Sequence, residues 1–376
     1  MRIDGSRSRI RNDLLPAIVL GLISSTFSTI VSQLAAGRLG RDAAVDWMTV
    51  AAIPFGNSMF AVEPGAGAIL AGIAFHQWAD FSWALLFFVI LHRFTADLSA
   101  RALLVIAMPW AVVTSALEWL VLVPLFPFNQ PIFTLQQPYW IGFLVHLSSA
   151  MAYPLFPGLR QRLVHKQPWP RSAKLWACAA GFALVVLASA DALARRNIEF
   201  GWIGRGDQEP DRAFLRHMSA HHQQGIALAE LAIARANDPG LRQLAKLMAA
   251  SQAGERMIFE RWWRSWFGPS LETCGTAELD AMPGYLTAEQ FAAVAKSADD
   301  RFDAAFVAAM TTHHRGAVRM ADAQLSAGQD PRLRAMAHAI RHGQQGEIAL
   351  MRGARGWNAV QQALGNMMAD QTRHRS

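Results

Sequence analysis

Two short runs of this 376-residue chain carry one pattern of soft donors: Met218 with His221 and His222, and Met310 with His313 and His314. Residues three and four apart share a helix face, so in each run a thioether and at least one imidazole aim at one spot. Imidazole with thioether is soft-to-borderline ligation. It favours copper over magnesium, calcium or manganese, and leaves other transition metals open. Gln252 and Glu255, matched by Gln344 and Glu347, add polar groups that could orient or supplement such ligands. Met320 and Met351 offer further thioethers, although Leu228 and Phe259 stand at the matching places of the first run. A single methionine on a helix face is ordinarily core, and a single histidine a hydrogen-bonded polar group. A His-His pair kept twice beside Met and Glu is harder to explain by packing.

The runs belong to a longer repeat. Asp211–His222 aligns with Asp303–His314 at an offset of 92 residues, and the same offset carries Asp238–Arg242 onto Asp330–Arg334 and Gln252–Glu255 onto Gln344–Glu347 without a gap. Register held that far reads as a tandem duplication. Each copy reads as a helical hairpin. Asp211 and Asp303 are expected to cap the first helix, with Phe214, Met218, Phe306 and Met310 opening its apolar face. Asp238-Pro239 and Asp330-Pro331 then start the second helix, Asp as the cap and Pro at the first helical position. Two such hairpins bury their faces most simply as a four-helix bundle. The connection Cys274–Lys296 is expected to hold one short helix capped at Thr287.

A ferritin-like di-iron oxidase would need a glutamate followed by histidine at the third place, and no glutamate here is so followed. There is no Gly-x-Ser-x-Gly, no Cys/His catalytic signature and no phosphate-cradling glycine loop, so no catalytic residue is assigned. The Phe-x-x-x-Met-x-x-His-His helix, the Asp-Pro-x-Leu-Arg turn and the Gln-x-x-Glu helix resemble the bacterial family called domain of unknown function 305. The resemblance covers about residues 210–358 and implies a ferritin-like four-helix bundle of the kind found in exported proteins linked to copper binding and tolerance. It also implies His221, His222, His313 and His314 as ligands, with Met218 and Met310 beside them. Phe259 stands where the family usually has a methionine four residues after the glutamate.

The preceding half has a different composition. The chain is 52% hydrophobic and 17% charged, against roughly 25% charged in an average soluble protein. Residues 1–194 hold only 13 Lys/Arg and 9 Asp/Glu, leaving 22 and 19 for the remainder. Five apolar stretches, near Leu14–Ala36, Ala66–His92, Ala102–Leu125, Tyr139–Leu155 and Leu175–Ala192, approach the ~20 residues needed to cross a bilayer. Trp47–Phe60 is apolar too, but Pro54, Gly56 and Asn57 interrupt it, so a surface or re-entrant segment is expected there. With the N-terminus inside, the cytoplasmic segments collect eleven Lys/Arg against two, Arg38 and Arg41, in the outer loops. Five spans then place the C-terminal half outside. Within the spans, His76 and Asp80 share one face of the second, Glu118 lies in the third and His146 in the fourth. Intramembrane ionisable groups face the bundle interior by default. These four form either a polar site for a metal, a proton or a haem, or a hydrogen-bonded cluster that pins packing. Arg261–Phe267, with three tryptophans, is either a tip resting on lipid or core.

The expected architecture is therefore all-α. Residues 1–194 form a transmembrane domain of about five helices, 195–209 a linker, 210–358 the duplicated bundle (copies 211–262 and 303–354) and 359–376 a tail without structure. The expected function is copper binding, sequestration or hand-over from a periplasmic bundle on a bacterial inner-membrane protein. The lipid bilayer and a metal ion are its partners, and the charge of +7 is too evenly divided for a nucleic-acid footprint. Membrane electron transfer with haem between His76 and His146, and a metal-free sensing or interaction module, remain as other classes.

Overall fold

The computed structural model describes residues 3–60, 64–95, 97–125, 132–199 and 209–373. Most of the expected linker and His374 of the tail lie outside the described residues. In chain order the main helices are α1 (Ile3–Ala35), α2 (Ala43–Phe55), α3 (Ala66–Leu85), α4 (Ala100–Leu117), α5 (Ile132–Gln136), α6 (Tyr139–Ala150), α7 (Phe156–Leu163), α8 (Arg171–Arg195), α9 (Glu209–Arg235), α10 (Pro239–Trp266), α11 (Ala288–Ala295), α12 (Asp299–Ala327), α13 (Pro331–Met351) and α14 (Gly356–Arg373). No strand occurs among the described residues. The chain divides into two compact units. One holds residues 1–35, 73–121 and 139–189, the other 36–72, 122–138 and 190–376. The second unit thus includes two segments of the apolar half.

Four stretches, Asn12–Leu39, Ala66–Ile90, Ala100–Leu122 and Arg171–Arg195, are long and apolar enough to cross a membrane. The fourth expected span, Tyr139–Leu155, is not one continuous helix. α6 ends at Ala150, a tight turn occupies Tyr153–Leu155, and α7 resumes at Phe156. Pro154 and Pro157 supply no N–H to carry the ladder across that turn. Aromatic packing closes the break, with Phe88 stacked on Phe156 at 4.0 Å and Tyr153 against Phe87 and Phe88, both at 5.1 Å. Leu175, Phe182 and Val185 of α8 are exposed, an outward apolar face. Arg160 bonds both Asp13 at 2.8 Å and Asp97 at 2.9 Å, gathering the start of α1, the α3–α4 connection and α7.

In the second unit each hairpin, α9 with α10 and α12 with α13, packs along its length, and α9 lies against α12. Phe214, Leu215, Met218, Ile258, Phe259, Trp262, Trp263, Leu333, Met336 and Ile340 build the core. Trp262 and Trp263 are each 1% exposed, so the tryptophan-rich end of α10 is core and not a lipid-facing tip. Asp238 and Asp330 cap their helices as expected, accepting from Gly240 N at 2.7 Å and Arg332 N at 2.8 Å. Thr287 caps α11 with Gln290 in reciprocal hydrogen bonds.

Asp211 and Asp303 are not caps. α9 begins at Glu209 and α12 at Asp299, so Asp211 lies inside the first turn of its helix and Asp303 just beyond that of its own. Asp211 accepts from Gln329 N at 3.1 Å and Asp330 N at 3.0 Å, the turn of the other hairpin. Asp303 does the same for Asn237 N and Asp238 N, both at 2.9 Å. Each hairpin thus braces the turn of its neighbour, a contact that spacing along one helix cannot reveal.

The apolar α2 segment is buried through Trp47, Met48, Ala51 and Ala52 within this unit, which accounts for its composition without a re-entrant path. The tail expected to lack structure is helical from Gly356 to Arg373, and Arg341 donates to Asn366 O at 3.4 Å.

Candidate metal centre

His221 and His222 lie on α9 and His313 and His314 on α12, all 0% exposed, as are Met218 and Met310. The His221 and His313 rings stack at 3.8 Å between centroids. Each Nε2 is committed. His313 Nε2 lies 2.9 Å from His221 O, and His221 Nε2 lies 3.2 Å from Pro283 O. Carbonyls only accept, so these nitrogens carry the protons and the Nδ1 atoms carry the lone pairs. His222 Nε2 is 2.6 Å from Glu255 Oε2 and His314 Nε2 is 2.6 Å from Glu347 Oε2, one pair in each hairpin. All four Nδ1 atoms are buried without a hydrogen-bond partner, and so is His314 Nε2, whose approach to Glu347 is a close contact and not a hydrogen bond like that of His222.

An imidazole anchored through one nitrogen by a carboxylate or carbonyl, with the other bare, is how metal-binding histidines are held. Burial, with His222 and His314 nearby, pushes the His221 pKa down to about 3. Burial also holds His313 well below the ordinary value, aided by His221 and His314. Both rings are neutral at pH 7, the form that ligates. The orphaned lone pairs and buried thioethers fit a soft cation. Among the described residues, however, no three His, Cys, Asp or Glu side chains converge on one point.

The remaining expected residues divide. Gln252 and Gln344 are buried, with both amide atoms of Gln252 and Oε1 of Gln344 unpartnered. Together with Glu255 and Glu347 they line a cavity of about 20 Å³, room for about one water. Met320 packs at the edge of the core and Met351 is half-buried at the end of α13. His217 pairs with Glu278 at 3.5 Å and His342 Nε2 donates to Thr134 O at 3.1 Å. Sequence reasoning missed Pro283, and also Gln224, whose amide exchanges hydrogen bonds with Leu286 N and O at 2.7 and 2.8 Å to fasten the connection over His221. It also missed Arg41 and Gln136, which line the same cavity. A faint signal existed in the glycines before each glutamate, Gly254 and Gly346, since a helix interior tolerates glycine at a cost.

Residues 211–355 match the family model described as domain of unknown function, DUF305. The bundle is a DUF305 domain. The N-terminal part matches no family. The domain resembles CopM in the Cu(I)-bound form at 28% identity, over 39% of this chain and 94% of that one, with a TM-score of 0.32. A DUF305 protein from Streptomyces coelicolor is 27% identical over 40% of this chain and 96% of its own, TM-score 0.35. A DUF305 fragment from Deinococcus radiodurans is 27% identical over 39% and 95%, TM-score 0.36. No curated protein matches the chain.

Outside the DUF305 bundle, the first unit brings the expected intramembrane residues together as two pairs. His76 Nε2 lies 3.0 Å from Ser28 Oγ and 3.5 Å from Asp80 Oδ2, and Ser28 also donates to Asp80. His146 Nε2 lies 3.1 Å from Glu118 Oε2, which accepts from Trp83 Nε1 at 3.1 Å. Each imidazole's Nε2 is therefore engaged by a carboxylate on its own side of the cluster.

Proposed function

We propose that the chain is an inner-membrane protein whose duplicated C-terminal bundle binds a transition metal, copper first, on the periplasmic side, and holds it or hands it on. One observation carries this reading: four buried imidazoles, all bare at Nδ1 and three of them hydrogen-bonded at Nε2, accompany two buried thioethers. His221, His222, His313 and His314 would hold the metal with Met218 and Met310. A bound ion would supply soft Lewis acidity to a core that otherwise leaves those lone pairs unsatisfied. The neutral rings of His221 and His313 cost no proton release at pH 7, and the carboxylates of Glu255 and Glu347 would orient His222 and His314.

The placement is supported by the arrangement of the loops. Residues 36–72, 122–138 and 190–376 share one compact unit, and five crossings put those three segments on one side of the bilayer. The broken Tyr139–Leu163 stretch then makes the fourth crossing. Eleven Lys/Arg against two support an outside position for that shared side.

The test is a Cu(I) titration of the full chain in detergent under reducing conditions, competed against a chromophoric Cu(I) chelator. Tight binding lost in His221→Ala and His313→Ala, with the fold retained by melting, is the expected result. A wild-type chain that takes up no metal would remove the reading.

A further inference from the structure

The face of the bundle that carries Glu255 and Glu347 is covered by segments from outside the bundle. A Cβ on Gly254 would lie 2.7 Å from Asp42 Cβ, at the start of α2. A Cβ on Gly346 would lie 2.1 Å from Leu135 O, in α5. These glycines are equivalent, 92 residues apart, and each sits directly before its glutamate. Each therefore admits one segment of the N-terminal half where a side chain would block it, Gly254 against the Asp42 side chain and Gly346 against the Leu135 backbone.

The docked segments bring polar side chains to this face, among them Gln136 and Arg41. Gln136 Nε2 donates to Glu347 Oε1 at 3.0 Å, while Glu347 Oε2 lies 2.6 Å from His314 Nε2. Arg41 is fixed by Asp46 through Nε at 3.0 and 3.2 Å. Burial works against its charge, but Asp46, then Glu255 and Asp42, outweigh burial and raise its pKa above the ordinary value. Arg41, Gln136, Gln252, Glu255, Gln344 and Glu347 line one cavity.

We infer that Arg41 and Gln136 are positioning residues of the histidine site. Gln136 sets the Glu347 carboxylate that aims His314, and Arg41 supplies the countercharge for Glu255, which aims His222. A carboxylate that anchors a ligating imidazole must itself be anchored, and removing that outer support typically costs about tenfold to a hundredfold in metal affinity. The two supports differ, a neutral amide for one pair and a guanidinium for the other. The two His–Glu pairs, alike in sequence, are thereby made chemically unlike. The affinity part rests on the metal reading above; the positioning part does not.

The test uses the full chain in detergent. In the metal-free protein, the ring N–H of His314, assigned by its loss in His314→Gln, is followed by proton–nitrogen NMR. Gln136→Met keeps the volume and removes the amide donor, and the expected result is a marked shift or loss of that resonance. Gly346→Ala leaves the polar groups intact but drives a Cβ into Leu135 O, and is expected to give the same change. In Cu(I) competition, Gln136→Met and Arg41→Met are expected to weaken binding about tenfold to a hundredfold, with Arg41→Lys recovering most of the loss. An unmoved His314 resonance in both Gln136→Met and Gly346→Ala would overturn the inference, whether or not the wild type binds copper. If the wild type binds Cu(I) and the Arg41 and Gln136 variants match it, the inference also falls while the metal reading stands.

Discussion

His342 offers a direct measure of how firmly α5 is docked on α13. Its ring is 3% exposed, and Nε2 donates to Thr134 O at 3.1 Å. Burial pushes its pKa down to about 4, the Thr134 hydrogen bond opposes that, and His338, Arg41 and Arg341 add to it. An exposed histidine titrates near 6.5. Below that value an opened segment takes a proton that the docked segment refuses, so stability is full above about pH 6.5 and falls until the docked ring also protonates near pH 4. The gap of about 2.5 pH units is worth roughly 3 kcal/mol at 1.36 kcal/mol per unit. Hydrogen exchange of peptides spanning residues 132–138, corrected for the intrinsic pH dependence of exchange, is the assay. Protection in the full chain should drop by about 80-fold between pH 6.5 and pH 4, and by about 300-fold over the whole transition. His342→Gln keeps a donor for Thr134 O and cannot titrate, so its protection should be nearly flat over that window relative to the wild type. Equal slopes in the two proteins would refute the argument, because the difference between them isolates one proton.

Three further outcomes follow from the same packing. Asp211→Asn sets an amide N–H₂ against the Gln329 and Asp330 donors and should lower stability by about 1–3 kcal/mol; in the half-buried Asp303→Asn a smaller loss is expected, both read as shifts in thermal melting. Trp262→Ala, removing a side chain 1% exposed in the bundle core, should cost about 3–5 kcal/mol, whereas Trp357→Ala, at 58% exposure, should leave the melt nearly unchanged. Cu(I) at a hundred times its dissociation constant should stabilise the wild type by about 2.7 kcal/mol, and calorimetry of His221→Ala should show that gain absent.

The helical hairpins and their turns were legible because their signals are local. Asp-Pro at 238–239 and 330–331 fixes where a helix starts, and apolar spacing fixes which face is buried. The four histidines were legible because they recur. What stayed hidden depended on contacts between distant segments. Asp211 and Asp303 look like caps by type and place, yet their acceptors serve turns 118 and 65 residues away. The α2 segment looked like a membrane surface element because hydropathy reports that a residue is buried, not whether protein or lipid buries it. The expected fourth span failed as one helix at Pro154 and Pro157, residues whose effect on a ladder is readable and was outweighed by the apolar run around them.

The histidine site draws its symmetry and its asymmetry from different parts of the chain. Matched residues supply like groups: two His-His pairs, two glutamates at equal 2.6 Å contacts, and two glycines where another segment comes close. Much of what distinguishes the halves comes from the contacts that these matched groups make. Pro283 O takes the His221 Nε2, whereas His221 O takes that of His313. Gln136 reaches Glu347, and Arg41 lines the cavity beside Glu255. Two identical ligand sets in one core would compete for the same ion with equal strength. Different anchors hold the two carboxylates differently, and so orient the two imidazoles differently. A bundle that passed a metal from one side to the other would need such an inequality, and on the reading proposed above Arg41 and Gln136, from segments preceding the bundle, would contribute to it.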